Sequence, residues 1–85
     1  VSDLEARFDG LYRAHFRAVL AYVARRERSS ADAADLTAEV FAVAWRRIEA
    51  VPEPPDDILW LYGTARRVVS DHARRPDGAT LCRWG

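Results

Sequence analysis

The chain has 85 residues and a mass of 9.6 kDa, room for one small domain with a thin core. Its 49% hydrophobic and 31% charged residues make a globular rather than a disordered balance, and its one cysteine, Cys82, excludes an internal disulfide framework and a cysteine-rich zinc site. The net charge of zero, 13 basic against 13 acidic residues, counts globally against a nucleic-acid binder. It is unevenly placed, however. Residues 1–30 hold six arginines and four acids, net +2; residues 31–57 hold two and seven, net −5; residues 58–85 hold five and two, net +3. An acidic middle between basic ends predicts two surfaces with different partners. Every basic residue is arginine and alanine occurs 15 times, a bias typical of a GC-rich genome. No apolar run reaches membrane-spanning length and no signal-peptide pattern opens the chain, so the expectation is a cytoplasmic protein without membrane contact.

The first helix is predicted to start at Ser2, which with Glu5 has the spacing of a capping box. Leu4, Phe8, Leu11, Tyr12, Phe16, Val19, Leu20 and Val23 then recur with a helical period for about six turns, to about Arg26. Ser29-Ser30 breaks the pattern and offers an N-cap to a second helix, with Asp32 and Asp35 in its first turns where negative charge suits the dipole. Its apolar face takes Ala33, Leu36, Val40, Ala44 and Ile48, flanked by Val43 and Phe41. The opposite stripe holds Asp35, Glu39, Ala42, Arg46 and Glu49, with Trp45 at its edge. Residues 51–57 read VPEPPDD. Three prolines in four positions exclude helix and give a stiff connector of polyproline character. Asp56 or Asp57 caps a third helix, from about Ile58 to Arg75, whose core face is Ile58, Leu61, Tyr62, Ala65, Val68, Val69 and His72. Pro76 stops it and Asp77-Gly78 turns the chain. Residues 76–85, Cys82 included, have no period and read as a linker stump or tail. The prediction is an all-α fold: a small helical bundle of three main helices, residues 1–75, with the proline-rich connector between the second and third.

Enzyme signatures are absent. There is no glycine-rich phosphate loop, nucleophile elbow, metal-ligand spacing or inward Glu-x-x-His pair, so no catalytic residue, metal or cofactor is expected. His15 and His72 fall on apolar helical faces, where a lone histidine is usually a packed residue with a satisfied hydrogen bond.

Two stripes are candidates for binding. On the second helix, Ala38 and Ala42 keep the acidic stripe low, so another helix could approach closely, and Trp45 and Phe41 border it as aromatic anchors would. A solvated charged face has the same appearance, and Trp45 could equally pack against the first helix or the connector. On the third helix, Trp60, Gly63, Arg67, Ser70 and Arg74 lie opposite the core stripe, with Arg66 and Arg75 beside them. Small Gly63 and Ser70 permit close approach of a nucleic-acid backbone, and the arginines suit phosphates or base edges. Tyr62 and Trp60 are candidate stacking platforms for a single strand. An ordinary charged face with Asp71 paired to Arg67 or Arg75 remains the alternative.

FDGLYRAHFRAVLAYVARR, then DAADLTAEVFAVAWRR, then WLYGTARRVVSDHARR, in this order, resemble the second conserved domain of bacterial sigma factors of the extracytoplasmic-function group. That pattern is approximately F-x-x-L-Y-x-x-H, D-A-x-D-L-x-Q-E-V-F-x-x-A-W and W-L-x-x-I-A-R-N-x-x-x-D-x-x-R. The resemblance spans roughly residues 8–75, and three pieces in register make it specific. It implies a helical domain that docks on the clamp helices of the largest subunit of core RNA polymerase, captures the promoter −10 element as melted single strand, and is held inactive in many members by an anti-sigma factor. Asp35 and Glu39 would then pair with basic residues of the clamp. The chain departs from the pattern at three positions: Ala38 stands for Gln, Thr64 for Ile, and Arg67 for an Asn that contacts promoter DNA. Its connector is proline-rich and acidic where many members carry aromatic or basic residues that pocket a flipped base. The usual second DNA-binding domain is lacking, so the chain reads as one domain of a longer protein. The alternatives are a sigma-like module whose partner is an anti-sigma protein, and an autonomous helical DNA-binding regulator. The seven-residue connector disfavours the latter, which wants a short turn.

Overall fold

The helical recurrence in the first segment becomes α1, Asp3–Arg26, in a computed structural model that describes residues 3–74. Acids in its first turn (Asp3, Glu5) and arginines in its last (Arg25, Arg26) complement the helix dipole. Leu11, Val19 and Val23 are buried, with Phe8, Phe16 and Tyr22 packed around them. The proposed cap at Ser2, the helix stop at Pro76 and the whole of the tail lie outside the described residues.

α2, Ser30–Arg46, starts where expected. Ser29 is its N-cap: the hydroxyl accepts the Asp32 amide at 3.2 Å and the carbonyl accepts that of Ala33 at 2.9 Å, satisfying amides that the first turn leaves without partners. Its inward face is Ala33, Leu36, Thr37, Val40, Phe41 and Ala44. Thr37 is fully buried, and its hydroxyl donates to the Ala33 carbonyl at 2.8 Å, so the polar atom is not stranded. Phe41, expected on a flank of the apolar face and at the border of the outward stripe, lies deeper than a flank: it is a buried hub, its ring centroid 5.0 Å from Tyr12, 6.1 Å from Phe16 and 6.4 Å from Phe8. The aromatic row of α1 needs a partner of matching size, and α2 supplies it by turning Phe41 inward.

α2 is followed by a 3-10 turn at Ile48–Ala50. Pro52 disfavours helical conformation at Val51, and the chain tightens before it leaves the helix. Ile48 is buried as the periodicity predicts, yet it and Glu49 belong to this turn and not to α2. Glu49 is therefore off the straight α2 stripe to which the 3.6 period assigns it. The connector ends in a turn, with the Asp56 amide on the Glu53 carbonyl at 3.1 Å, rather than continuing as an extended rod.

α3 is Asp57–Arg74, one residue earlier than predicted. The Asp57 carboxylate accepts the adjacent Ile58 amide at 2.9 Å, and the Trp60 amide bonds the Asp56 carbonyl at 3.2 Å. Leu61, Ala65 and Val68 are buried in one core with Val19, Val23, Leu36 and Val40. Each helix packs on the other two. α1 also holds the connector. The Arg7 guanidinium donates to the Val51 carbonyl and pairs with Glu53 at 3.4 Å, and His15 meets Asp57 at 3.0 Å.

Candidate functional site

The outward stripe of α2 is open. Asp35, Ala38, Ala42, Trp45 and Arg46 are exposed, Glu39 is half-buried, and Glu49 is exposed on the following turn. Asp35, Glu39 and Glu49 form no ion pair with a described residue. Ala38 and Ala42 floor an open recess of about 590 Å³ between α1 and α2, walled by Phe8, Tyr12, Phe16, Phe41 and Trp45, with Glu5 and Asp9 also lining it. Trp45 packs edge-on against Phe8, ring centroids 5.4 Å apart, and still leaves 44% of its surface exposed. It does both things the sequence leaves open: it rests on α1 and it presents an apolar face. Tyr12, 40% exposed, lies beside it across the recess. An apolar recess on a helix face that carries Asp35 and Glu39 has the make-up of a protein-docking surface.

On α3 the arginines face solvent. Arg66, Arg67 and Arg74 are exposed, Ser70 and Trp60 are half-buried, and Arg75 lies outside the described residues. Asp71 does not pair with Arg67, so that guanidinium keeps its charge for another partner. Trp60, Gly63, Thr64 and Arg67 line a recess of about 240 Å³ together with Arg47. Arg47 is a residue that sequence reasoning misses. It is the C-cap of α2, on no periodic stripe of α3, and only the fold of the intervening turn and connector brings it there. A Cβ built on Gly63 meets nothing within 4 Å: the glycine is not demanded by packing, and its effect is to keep the face low. Tyr62 is elsewhere. Its ring stacks on Tyr22 of α1, centroids 5.1 Å apart at 26°, while the Arg26 guanidinium sits 3.8 Å from the Tyr22 ring centroid. Tyr62 and the Arg47–Arg67 recess are therefore separate features.

Both histidines have carboxylate partners at half-buried positions: His15 with Asp57, and His72 with Glu27 at 3.3 Å and Asp32 at 3.8 Å. The second set joins three segments far apart in sequence, so no ligand spacing announces it. Among the described residues it is the group whose donor atoms lie close enough to hold a metal ion.

The chain is thus a small all-α bundle that carries an acidic, aromatic-edged face and, apart from it, an arginine-lined recess. The family model of sigma-70 region 2 matches residues 11–78, and the chain belongs to that family. No curated protein and no solved structure gives a significant match. A sigma-70 region 2 domain serves transcription initiation, where it acts in core RNA polymerase binding and promoter recognition; it is an initiation-factor domain and not one of a known enzyme family. No described helix is long and apolar enough to cross a membrane.

Proposed function

We propose that this chain is the promoter-melting domain of a cytoplasmic sigma factor of the extracytoplasmic-function group. The α2 face of Asp35, Ala38, Glu39, Ala42, Trp45 and Arg46, with Glu49 beyond it, docks on the clamp helices of core polymerase. The α3 face of Trp60, Gly63, Arg66, Arg67, Ser70 and Arg74 holds the melted −10 strand, with Arg75, outside the described residues, as a further basic contact. An anti-sigma factor that covers the α2 face blocks the first of these steps.

The observation that carries this reading is the recess between Arg47 and Arg67. Two guanidinium groups without an ion-pair partner among the described residues, an aromatic ring and a position without a side chain meet there, which supplies positive charge, a stacking surface and room for a backbone. The acidic α2 face repels phosphate, so DNA is steered to the opposite charge on α3. With zero net charge the domain binds DNA weakly alone, and core polymerase brings the few arginines to bear. The test is binding of a single-stranded −10 oligonucleotide by the chain with and without core polymerase. Polymerase-dependent capture of the single strand, and not of closed duplex, is the expected outcome. Equal binding in both settings would remove the polymerase from the mechanism.

A further inference from the structure

We propose that Glu27, Asp32 and His72 form a binding site for a divalent transition-metal ion, with zinc as the ion that fits the donor set. The proposal stands apart from promoter recognition. Glu27 follows the last residue of α1, Asp32 lies in the first turn of α2 and His72 in the last turn of α3, so one ion would tie together the three helix ends at this pole of the bundle.

The geometry is close to ligation already. Zinc takes imidazole nitrogen and carboxylate oxygen at about 2.0–2.2 Å, which in a tetrahedral arrangement sets donor atoms about 3.3–3.6 Å apart. His72 Nε2 is 3.3 Å from Glu27 Oε2 and 3.8 Å from Asp32 Oδ2, and all three donors lie within 4.8 Å of one another. The side chains of Glu27 and His72 are 16% and 21% exposed, that of Asp32 47%. Two ligands are thus sheltered and the third borders solvent, which leaves a coordination position for water. An imidazole with two carboxylates selects a borderline ion such as zinc over magnesium or calcium, which take oxygen ligands throughout. Two carboxylates also neutralise a dication.

The surrounding hydrogen bonds orient the ligands. The Ser29 amide donates to Glu27 Oε1 at 3.5 Å, turning Oε2 toward His72, and the Ser29 hydroxyl accepts the Asp32 amide at 3.2 Å. Ser29 therefore supports the Glu27 carboxylate directly, as outer-shell groups do in metal sites, and holds the backbone of the turn that carries Asp32.

The test uses the full 85-residue chain, freed of metal and titrated with cobalt(II) as a spectroscopic substitute. The expected result is a saturable visible band at one equivalent, abolished by one equivalent of zinc, untouched by millimolar magnesium, and accompanied by a zinc-dependent rise in the thermal midpoint. His72→Ala should abolish the band, and Asp32→Asn should weaken binding at least about tenfold. Cys82→Ser and His15→Gln should leave it intact. Circular dichroism reports folding of each variant, and Asp32→Asn, at a half-exposed position, keeps the test valid if His72→Ala does not fold. The proposal is overturned if no band forms, if the band survives both His72→Ala and Asp32→Asn, or if it is lost with Cys82 or His15 instead.

Discussion

His15 Nε2 and Asp57 Oδ2 stand 3.0 Å apart, joining the middle of α1 to the first residue of α3. Asp57 is 6% exposed and its second oxygen accepts the Ile58 amide at 2.9 Å, so both carboxylate oxygens are occupied. Asp57→Ala removes a buried hydrogen-bonded group and orphans its partners, which costs about 1–3 kcal/mol. Urea denaturation measures the loss, and a double-mutant cycle with His15→Ala should give a coupling of about 0.5–3 kcal/mol. Strictly additive losses would mean that the two side chains act independently.

Phe41 and Trp45 are one helical turn apart on α2 and should respond oppositely. Phe41→Ala empties the hub of the aromatic cluster and costs about 3–5 kcal/mol, a large share of the stability of a domain this small. Trp45→Ala removes a ring that is 44% exposed and should cost about 1 kcal/mol while weakening capture of the polymerase clamp. Thermal melts beside clamp pull-downs separate the two effects; a Trp45 variant with undiminished clamp binding would take the ring out of the interface.

Charge reversal at Asp35 and Glu39 should weaken clamp binding without unfolding the domain, because neither carboxylate pairs with a described residue. Stability changes within about 0.5 kcal/mol are expected for such surface positions. Unchanged capture of a clamp-helix fragment by Asp35→Arg/Glu39→Arg would move the docking face elsewhere.

Arg47→Ala and Arg67→Ala should each weaken binding of the −10 single strand to the polymerase-bound domain. If each guanidinium neutralises one phosphate, each substitution lowers the slope of log K against log salt by about 0.7. The informative variant is Arg47→Ala, since Arg47 belongs to no stripe of α3. A salt titration that superimposes on the wild type would confine DNA to α3 alone.

Gly63→Ala and Gly10→Ala form a matched pair. Added Cβ atoms meet nothing within 4 Å at either site, so both substitutions should stabilise their helices by about 0.5–1 kcal/mol. Only Gly63→Ala should lower single-strand affinity, because only Gly63 lines the arginine recess. Equal affinities would show that the backbone of the strand does not approach the helix there.

The helices are legible in the sequence because each carries its own period and its own stop: Ser29 caps α2, and three prolines interrupt the chain before α3. The period puts Phe41 only on a flank of the apolar face; its full burial is not legible, since that depends on the rings of Phe8, Tyr12 and Phe16 on another helix. Glu49 escapes prediction for a related reason, as the 3.6 period is carried past the point where Pro52 tightens the chain. The α2 stripe and most of the α3 stripe can be read from spacing alone. The meeting of Arg47 with Arg67, and that of Glu27, Asp32 and His72, depend on how separate helices pack, which local spacing does not encode.

The connector is tied to α1 at both ends, through Arg7 with Val51 and Glu53 and through His15 with Asp57. It works as a strap anchored to a third member. Were the −10 strand held in the Arg47–Arg67 recess as proposed, the two walls of its site would be joined by a segment that is itself fastened to α1. α1 contributes no described side chain to the recess, yet through the strap it touches the segment that joins the recess's two walls.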